Sequence, residues 1–176
     1  CGNAIRPGYM LNMRNGKSID VMNTDAEGRL ILADALAYAS ENKPDIICDV
    51  ATLTGAAYVA LGVEVGAVFS NNESTLNKFL DSNANSFENY HSLPLEQSYK
   101  SLIKSSIADM KNSGGSFGGA ITAALLLEEF VNDIDWIHLD IAGPARSRSN
   151  NSVYPEGGTG FGVIGYFNFI CNEIDN

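Results

Sequence analysis

The sequence predicts an α/β fold, a three-layer sandwich in which a mixed, mostly parallel sheet is flanked by helices. Short β-branched runs alternate along the chain with segments of helical periodicity, and this alternation indicates β-α-β crossovers. The 176 residues are 45% hydrophobic and 18% charged. That composition supplies enough apolar surface for a folded core and excludes an intrinsically disordered chain.

The first part of the chain predicts a hairpin followed by a helix. Residues 9–22 read as two strands around Asn15-Gly16, a pair that favours a type I′ turn because both residues tolerate positive φ. Residues 30–40 repeat apolar side chains at steps of three and four, which predicts a helix. Pro44 marks its end, since the residue before a proline is driven out of the helical region.

The middle of the chain predicts two strands separated by a helix. Residues 45–51 are a β-branched run, consistent with a strand buried on both faces in which Cys48 packs as a small hydrophobe. Residues 54–61 are alanine-rich and predict a helix, and residues 64–70 predict the second strand. Residues 71–92 predict an exposed amphipathic helix and a loop.

The remaining part of the chain continues the alternation of elements. In order, it predicts a glycine-rich turn at 111–119, a buried helix at 119–131, a strand at 135–142, a polar loop at 146–160 and a closing helix at 161–174. The closing helix is indicated by four apolar residues at intervals of four, three and four: Val163, Phe167, Ile170 and Ile174.

The charge balance argues against some classes of binding partner, and the cysteines indicate the cellular compartment. Acidic residues outnumber basic ones by 21 to 11, a formal net charge of −10, whereas nucleic acids and anionic membranes require a basic face. The longest apolar stretch, residues 46–69, is interrupted by polar and charged positions that a membrane span excludes. The three cysteines form no C-x-x-C pair, which favours a reducing, cytoplasmic location.

The strongest chemical signal is the octapeptide NTDAEGRL at residues 23–30. It lies between a predicted strand and a predicted helix, where open α/β sheets bind ligands. In an extended segment Asp25 and Glu27 face one side, and two converging carboxylates favour a divalent cation such as Mg²⁺, Mn²⁺ or Zn²⁺. The spacing equally fits a capping box, in which Thr24 and Glu27 bind the free amides of a helix start. By spacing alone the capping box is the commoner outcome.

Weaker candidates follow the other strands. Thr52, Thr54 and Gly55 could line a pocket at a sheet edge, and Thr54 could equally cap the next helix. His138 and Asp140 have a spacing that could bind metal on a strand, but they also fit ordinary polar residues at a sheet end. The chain contains neither a P-loop nor a G-x-S-x-G elbow, which argues against nucleotide binding and serine-hydrolase chemistry.

The octapeptide resembles the signature of the leucine aminopeptidase family of dinuclear metallopeptidases. Four further motifs fall in the family's order and approximate spacing: RNGK at 14–17, DVATLTGA at 49–56, GGAITAA at 118–124 and HLDIAGP at 138–144. The resemblance covers nearly the whole chain and outweighs the capping box as an exclusive explanation of residues 24–27.

The resemblance implies roles for individual residues. Asp25 would bind a metal ion, Glu27 would bridge two metal ions, and Arg29 would hold a bicarbonate ion that serves as general base. Four residues are implied in substrate binding. Leu53 would contact the substrate through its backbone, and the pocket for the first side chain would be shaped by Thr52, Gly55 and Ala142.

The resemblance also implies an activity. The family removes N-terminal residues, often leucine, from peptides with the help of two divalent metal ions (Mn²⁺, Zn²⁺ or Mg²⁺), and it works as a cytoplasmic homo-hexamer. Its members carry an upstream segment with further metal ligands and an N-terminal domain. We therefore expect residues 1–176 to be the C-terminal portion of the catalytic domain, inactive alone. The alternative is a catalytically incomplete fragment or a non-catalytic family member that acts as an assembly or interaction module. DNA binding, a third option, is disfavoured by the charge.

Overall fold

The computed structural model describes residues 4–149 and 153–175. In chain order the elements are β1 (Tyr9–Asn12), β2 (Ser18–Val21), α1 (Gly28–Glu41), β3 (Ile46–Ala51), α2 (Gly55–Leu61), β4 (Val65–Ser70), α3 (Glu73–Ser82), β5 (Asn89–Ser92), a 3₁₀ helix (Gln97–Ile103), β6 (Met110–Lys111), α4 (Gly119–Glu128), β7 (Asp135–Asp140), β8 (Arg146–Ser147), β9 (Gly157–Gly158) and α5 (Val163–Asp175). Mixed sheets with flanking helices confirm the predicted α/β class.

The chain divides into two compact units. The first runs up to Ile47 and includes Leu95–Ile134, and the second comprises Cys48–Pro94 and the residues from Asp135 onward. The first unit contains a three-stranded sheet of order β1-β2-β6, and the second contains a four-stranded sheet of order β3-β7-β4-β5 with a small β8-β9 pair.

The hairpin of the first unit is confirmed, but its turn is not type I′. Gly16 has φ of +88°, whereas Asn15 is not at positive φ. The side chain of Asn15 instead accepts a hydrogen bond from the Lys17 amide at 3.1 Å and donates to the Glu129 carbonyl at 3.2 Å. Main-chain hydrogen bonds from Met13 to the Lys17 carbonyl and from Gly16 to the Met13 carbonyl close the turn, so a single left-handed glycine is sufficient.

Two helices form the core of the first unit. The predicted helix at 30–40 is confirmed as α1, which buries one apolar stripe, and the predicted helix at 119–131 is confirmed as α4. The central residues of α4, Ala123–Leu127, are fully buried, as expected for a helix that is apolar on every face. The Ser40 hydroxyl joins the two by donating to the Phe130 carbonyl at 3.0 Å.

The sheet of the second unit confirms all three strands predicted in this region and corrects one detail. The strand at 45–51 is β3, an edge strand, and it is not buried on both faces. Cys48 and Val50, two residues apart and therefore on one face, are both exposed. The expectation that Cys48 packs as a small hydrophobe is therefore wrong in the described chain.

Five short elements lie where the sequence analysis predicted neither a helix nor a strand. β5 pairs in parallel with β4 although its sequence, NYHS, has no β-branched run. The 3₁₀ helix and β6 follow it, and the loop at 146–160 contains the two-residue strands β8 and β9, with residues 150–152 outside the described part. Short elements of this kind are stabilised by neighbouring strands rather than by local sequence.

The closing helix is confirmed as α5, and it is apolar on two sides. Phe169 packs against Phe79 of α3, with ring centroids 5.8 Å apart. The four residues that predicted the helix lie on the exposed side: Val163, Phe167, Ile170 and Ile174. No helix in the described part of the chain is both long enough and apolar enough to cross a bilayer.

Candidate functional site

The octapeptide forms a turn that leads into α1, and we call residues 23–27 the acidic loop. The Ala26 amide donates to the Asn23 carbonyl at 3.3 Å, and the Asn23 side chain accepts from the Asp25 amide at 3.0 Å. The segment is therefore a turn and not the extended stretch expected from sequence. Ala26 is buried, whereas Asp25 and Glu27 are exposed.

The capping box between Thr24 and Glu27 does not form. The residue at the N-cap of α1 is Glu27, with helical φ and ψ of −74° and −32°, and no side chain caps the helix. In the described residues neither the Asp25 nor the Glu27 carboxylate accepts a hydrogen bond or joins an ion pair. Both carboxylates are thus available to a ligand.

A buried amide, Asn112, organises the acidic loop from behind. Asn112 is fully buried, and its side-chain oxygen accepts from the amides of Met22 and Asn23 at 2.9 and 3.1 Å. Its side-chain nitrogen donates to the carbonyls of Asn23 and Ala26 at 2.6 and 3.3 Å. Only a side chain that both accepts and donates can satisfy this set of partners.

Arg29 is held by the same residue. One guanidinium nitrogen of Arg29 donates to the main-chain carbonyl of Asn112 at 3.0 Å, and the side chain is half-buried. The segment around Asn112 therefore supports the turn that carries Asp25 and Glu27 and also Arg29, two residues after Glu27. No local pattern indicated this role, since residues 111–119 predicted only a glycine-rich turn.

In the second unit, the segment between β3 and α2 is the counterpart, and we call residues 52–55 the threonine loop. Thr54 caps α2, because its hydroxyl accepts from the Ala57 amide at 3.0 Å, so one of the two alternatives for Thr54 is confirmed. Thr52 and Gly55 are exposed, while Leu53 is half-buried.

Asp140, at the end of β7, ties the threonine loop to the segment after β7. It is 1% exposed, and its Oδ1 accepts from the amides of Leu53 at 3.0 Å, Thr54 at 3.3 Å and Ala142 at 3.2 Å. Its Oδ2 accepts from the Thr54 hydroxyl at 2.6 Å. The carboxylate thus brings together two of the predicted substrate-binding residues, Leu53 and Ala142.

A second set of side-chain hydrogen bonds joins β3 to β7, further from the threonine loop. The Nδ1 atom of His138 lies 2.5 Å from Oδ1 of Asp49, and the indole nitrogen of Trp136 donates to Oδ2 of Asp49 at 2.7 Å. The His138 ring is buried and stacks between Trp136 and Phe69. His138 and Asp140 are therefore buried, hydrogen-bonded groups, which the sequence could not distinguish from ordinary polar residues.

No group of three or more histidine, cysteine or acidic residues suited to a metal ion is present within residues 4–149 and 153–175. The predicted metal ligands Asp25 and Glu27, with Arg29, belong to the first unit, and the predicted substrate-binding residues belong to the second. Within the octapeptide, the exposed carboxylates of Asp25 and Glu27 form no helix cap.

Comparison with known proteins gives a consistent result. Residues 1–165 match the model of the cytosol aminopeptidase family, catalytic domain. The chain is 51% identical over 173 residues to a probable cytosol aminopeptidase of Prochlorococcus marinus (strain MIT 9215), covering 98% of this chain and 35% of that protein. It is 52% identical over 174 residues to a probable cytosol aminopeptidase of Synechococcus sp. (strain CC9902), with the same coverages.

Solved structures include a similar chain. A tomato leucine aminopeptidase mutant superposes with a TM-score of 0.92 at 42% sequence identity, covering 98% of this chain and 33% of that one. The chain therefore spans about a third of the length of the relatives that it matches.

Proposed function

Because the chain belongs to the cytosol aminopeptidase family, we propose that the full protein is a metal-dependent aminopeptidase that hydrolyses N-terminal residues from peptides, with leucine preferred. Residues 1–176 would form the C-terminal portion of its catalytic domain. The observation that carries the proposal is the acidic loop, whose Asp25 and Glu27 carboxylates are exposed and take no part in capping the helix that follows.

The acidic loop fits divalent metal ions by its donor chemistry. Carboxylate oxygens are the ligands that Mg²⁺ and Mn²⁺ prefer, and Zn²⁺ also accepts them. Asp25 would bind one ion and Glu27 would bridge two, with further ligands from residues outside the described set. When bound, two such ions would polarise the scissile carbonyl and lower the pKa of a water molecule to near neutrality.

Arg29 would hold the bicarbonate ion that serves as general base. A guanidinium suits this planar anion because it presents paired N–H donors in one plane. The hydrogen bond from Arg29 to the Asn112 carbonyl supports this role, since it orients the side chain beside the loop that carries both acidic residues.

The threonine loop would bind the substrate. Leu53 would contact the peptide through its backbone, and Thr52, Gly55 and Ala142 would shape the pocket for the first side chain. The bonds from Asp140 support this assignment, because they hold Leu53 and Ala142 next to one carboxylate. Peptides are the expected substrates, and a cytoplasmic homo-hexamer is the expected assembly, to be checked by the mass of the full protein in solution.

The proposal is tested on the full-length protein with leucine p-nitroanilide and Mn²⁺. Asp25→Asn and Glu27→Gln preserve the size of each side chain and remove its charge. We expect kcat/KM to fall at least about 100-fold in each variant, because the loss of a group that supports metal binding lowers activity on this scale. The amount of bound Mn²⁺ per chain, measured after dialysis, falls in parallel.

Asp45→Asn is the matched control. Asp45 is an exposed acidic residue of the same unit, and its variant should keep wild-type activity and metal content. Wild-type turnover and metal content in Asp25→Asn or Glu27→Gln would contradict the assigned roles, and a full-length protein without aminopeptidase activity would contradict the proposed function itself.

One observation favours the second candidate function, an assembly or interaction module without catalysis. The described residues contain no cluster of three metal-ligating side chains, so this stretch alone would bind metal weakly. Calorimetric titration of residues 1–176 with Mn²⁺ separates the two: tight binding of two ions contradicts the incomplete site, and absence of binding together with an inactive full-length protein supports the module.

A further inference from the structure

We infer that Asp140 is a positioning residue for substrate binding: its buried carboxylate fixes the backbone of the threonine loop and of Ala142 in one arrangement. The inference rests on the proposed function, because it concerns the residues that would line the substrate pocket. Asp140 itself need not touch the substrate, since its two oxygens already accept four hydrogen bonds from the protein.

The partners of Asp140 explain why the residue is an aspartate. All four partners are donors: the amides of Leu53, Thr54 and Ala142 and the hydroxyl of Thr54. A buried carboxylate without a cationic partner is costly unless several donors satisfy it, and hydrogen bonds to an ionised group are about twice as strong as neutral ones. The hydrogen bonds to the Asp140 carboxylate therefore hold the amides of Leu53, Thr54 and Ala142 in fixed positions.

Thr54 extends this control into α2. Its hydroxyl donates to Asp140 at 2.6 Å and accepts from the Ala57 amide at 3.0 Å. The Thr54 side chain thus links the Asp140 carboxylate to the first turn of α2, which begins at Gly55. Movement of Asp140 would shift the threonine loop and the start of α2 together.

The backbone pairing of β3 and β7 ends at the same place. The Ile141 amide donates to the Ala51 carbonyl at 2.9 Å. β3 ends at Ala51 and β7 at Asp140, so regular strand pairing does not continue to Leu53 and Ala142. Asp140 replaces the ladder at this point, because it accepts from both departing segments. A pocket built from two strand ends depends on such a link for a fixed width.

The test uses four variants of the full-length enzyme. Asp140→Asn is close in size but removes one acceptor oxygen and the charge. Thr54→Val removes the hydroxyl, whereas Thr54→Ser keeps it. Asp49→Asn is the matched control, because it makes the same change in the tie that joins β3 and β7 at His138 and Trp136.

The measurements are kcat and KM for leucine and alanine p-nitroanilides, and amide hydrogen exchange of peptides that cover residues 50–57 and 140–145. In Asp140→Asn we expect KM for the leucine substrate to rise about tenfold, the effect of one lost charge-assisted hydrogen bond. The preference for leucine over alanine decreases, kcat changes less than KM, and exchange at both segments becomes faster.

The remaining variants separate positioning from general stability. Thr54→Val should change KM and substrate preference in the same direction, and Thr54→Ser should restore both. Asp49→Asn should leave KM and preference as in the wild type, even where it lowers the melting temperature. Wild-type KM and preference in Asp140→Asn would overturn the inference, as would equal KM changes in Asp49→Asn.

The failure of the inference differs from that of the proposed function. If the wild-type protein has no aminopeptidase activity, the proposed function falls, and hydrogen exchange still decides on Asp140. Faster exchange at residues 50–57 and 140–145 in Asp140→Asn, with Thr54→Ser unchanged, supports the positioning role. Unchanged exchange in Asp140→Asn overturns it.

Discussion

The acidic loop and the threonine loop are each held by a buried polar side chain of their own, and the two side chains differ in charge. Asn112 accepts two amides and donates to two carbonyls, whereas Asp140 accepts four donors. A loop that presents carboxylates gains from a neutral support, because another buried anion would repel Asp25 and Glu27. A loop that offers only amides and hydroxyls can be supported by an anion.

The largest effect is expected from reversing this choice in the acidic loop. Asn112→Asp keeps the size of the side chain but places a buried carboxylate oxygen against the Asn23 and Ala26 carbonyls, which offer it no hydrogen-bond donor. We expect the free energy of unfolding of the full-length protein to fall by about 3–5 kcal/mol, measured by urea denaturation. Asn12→Asp, the same change at an exposed position of β1, should cost less than about 0.5 kcal/mol.

The next effect concerns the segment after β7, which depends on close backbone packing as well as on Asp140. A Cβ atom added to Gly143 would lie 2.0 Å from the Gly62 carbonyl oxygen. Gly143→Ala must therefore move the backbone next to Ala142, and we expect a loss of about 1–3 kcal/mol in unfolding free energy. Gly158→Ala is the control, because its Cβ would meet nothing within 4 Å. Equal stability of the two variants would contradict the close contact.

A smaller effect distinguishes the two units by pH. Burial opposes the ionisation of Glu129, but hydrogen bonds from Lys100 at 2.6 Å and from Lys17 outweigh it and hold its pKa below 4.5. Because the folded state binds the proton less readily, this stabilisation is present above pH 4.5 and is lost as the pH falls through the folded-state value. Glu129→Gln should cost about 1 kcal/mol or less at pH 7 and weaken the dependence on pH below 4.5.

The second unit has its sensitivity on the alkaline side. Burial and the neighbouring Glu88 raise the pKa of Tyr90 above 10, and burial with Asp49 raises that of Tyr166. Because the folded state holds these two phenol protons more tightly than the unfolded state, their contribution to stability is fully present below pH 10. It is lost as the pH rises further. Trp136, the only tryptophan, lies in this unit, so we expect its fluorescence to change as the pH rises above 10. An unchanged fluorescence up to pH 12 would contradict this difference.

The smallest effect on stability is expected at Gly55. A methyl group there would meet no atom within 4 Å, and alanine is favoured over glycine in a helix, so Gly55→Ala should change stability by about 0.5 kcal/mol in the favourable direction. The same methyl group would enter the proposed substrate pocket and raise KM for the leucine substrate. A wild-type KM would remove Gly55 from the pocket, with Gly158→Ala as the control for substitution itself.

The sequence predicted most of the regular elements but not their surroundings. Periodicity identified α1, α4 and α5 because each carries a strong local repeat. The same repeat in α5 did not tell which side is buried: Phe169 packs inside, while Phe167 and Ile170 are exposed. β5 was missed because its pairing partner, and not its own residues, makes it a strand.

The candidate site divides in the same way. The octapeptide identified the acidic residues by resemblance, yet spacing favoured a capping box that the structure does not contain. Asn112 lies 89 residues from Asn23 along the chain, and Asp140 lies 86 residues from Thr54. No local pattern reports partners at such separations.

The sequence by itself determined which residue types are present and in what order: the alternating elements, the acidic octapeptide and the family to which they are similar. The tertiary structure alone decided that Glu27 leaves the helix start uncapped, that a neutral amide supports one loop and that a carboxylate supports the other. The physical reason is that hydrogen-bond satisfaction of buried groups is settled by chain segments that meet only after folding.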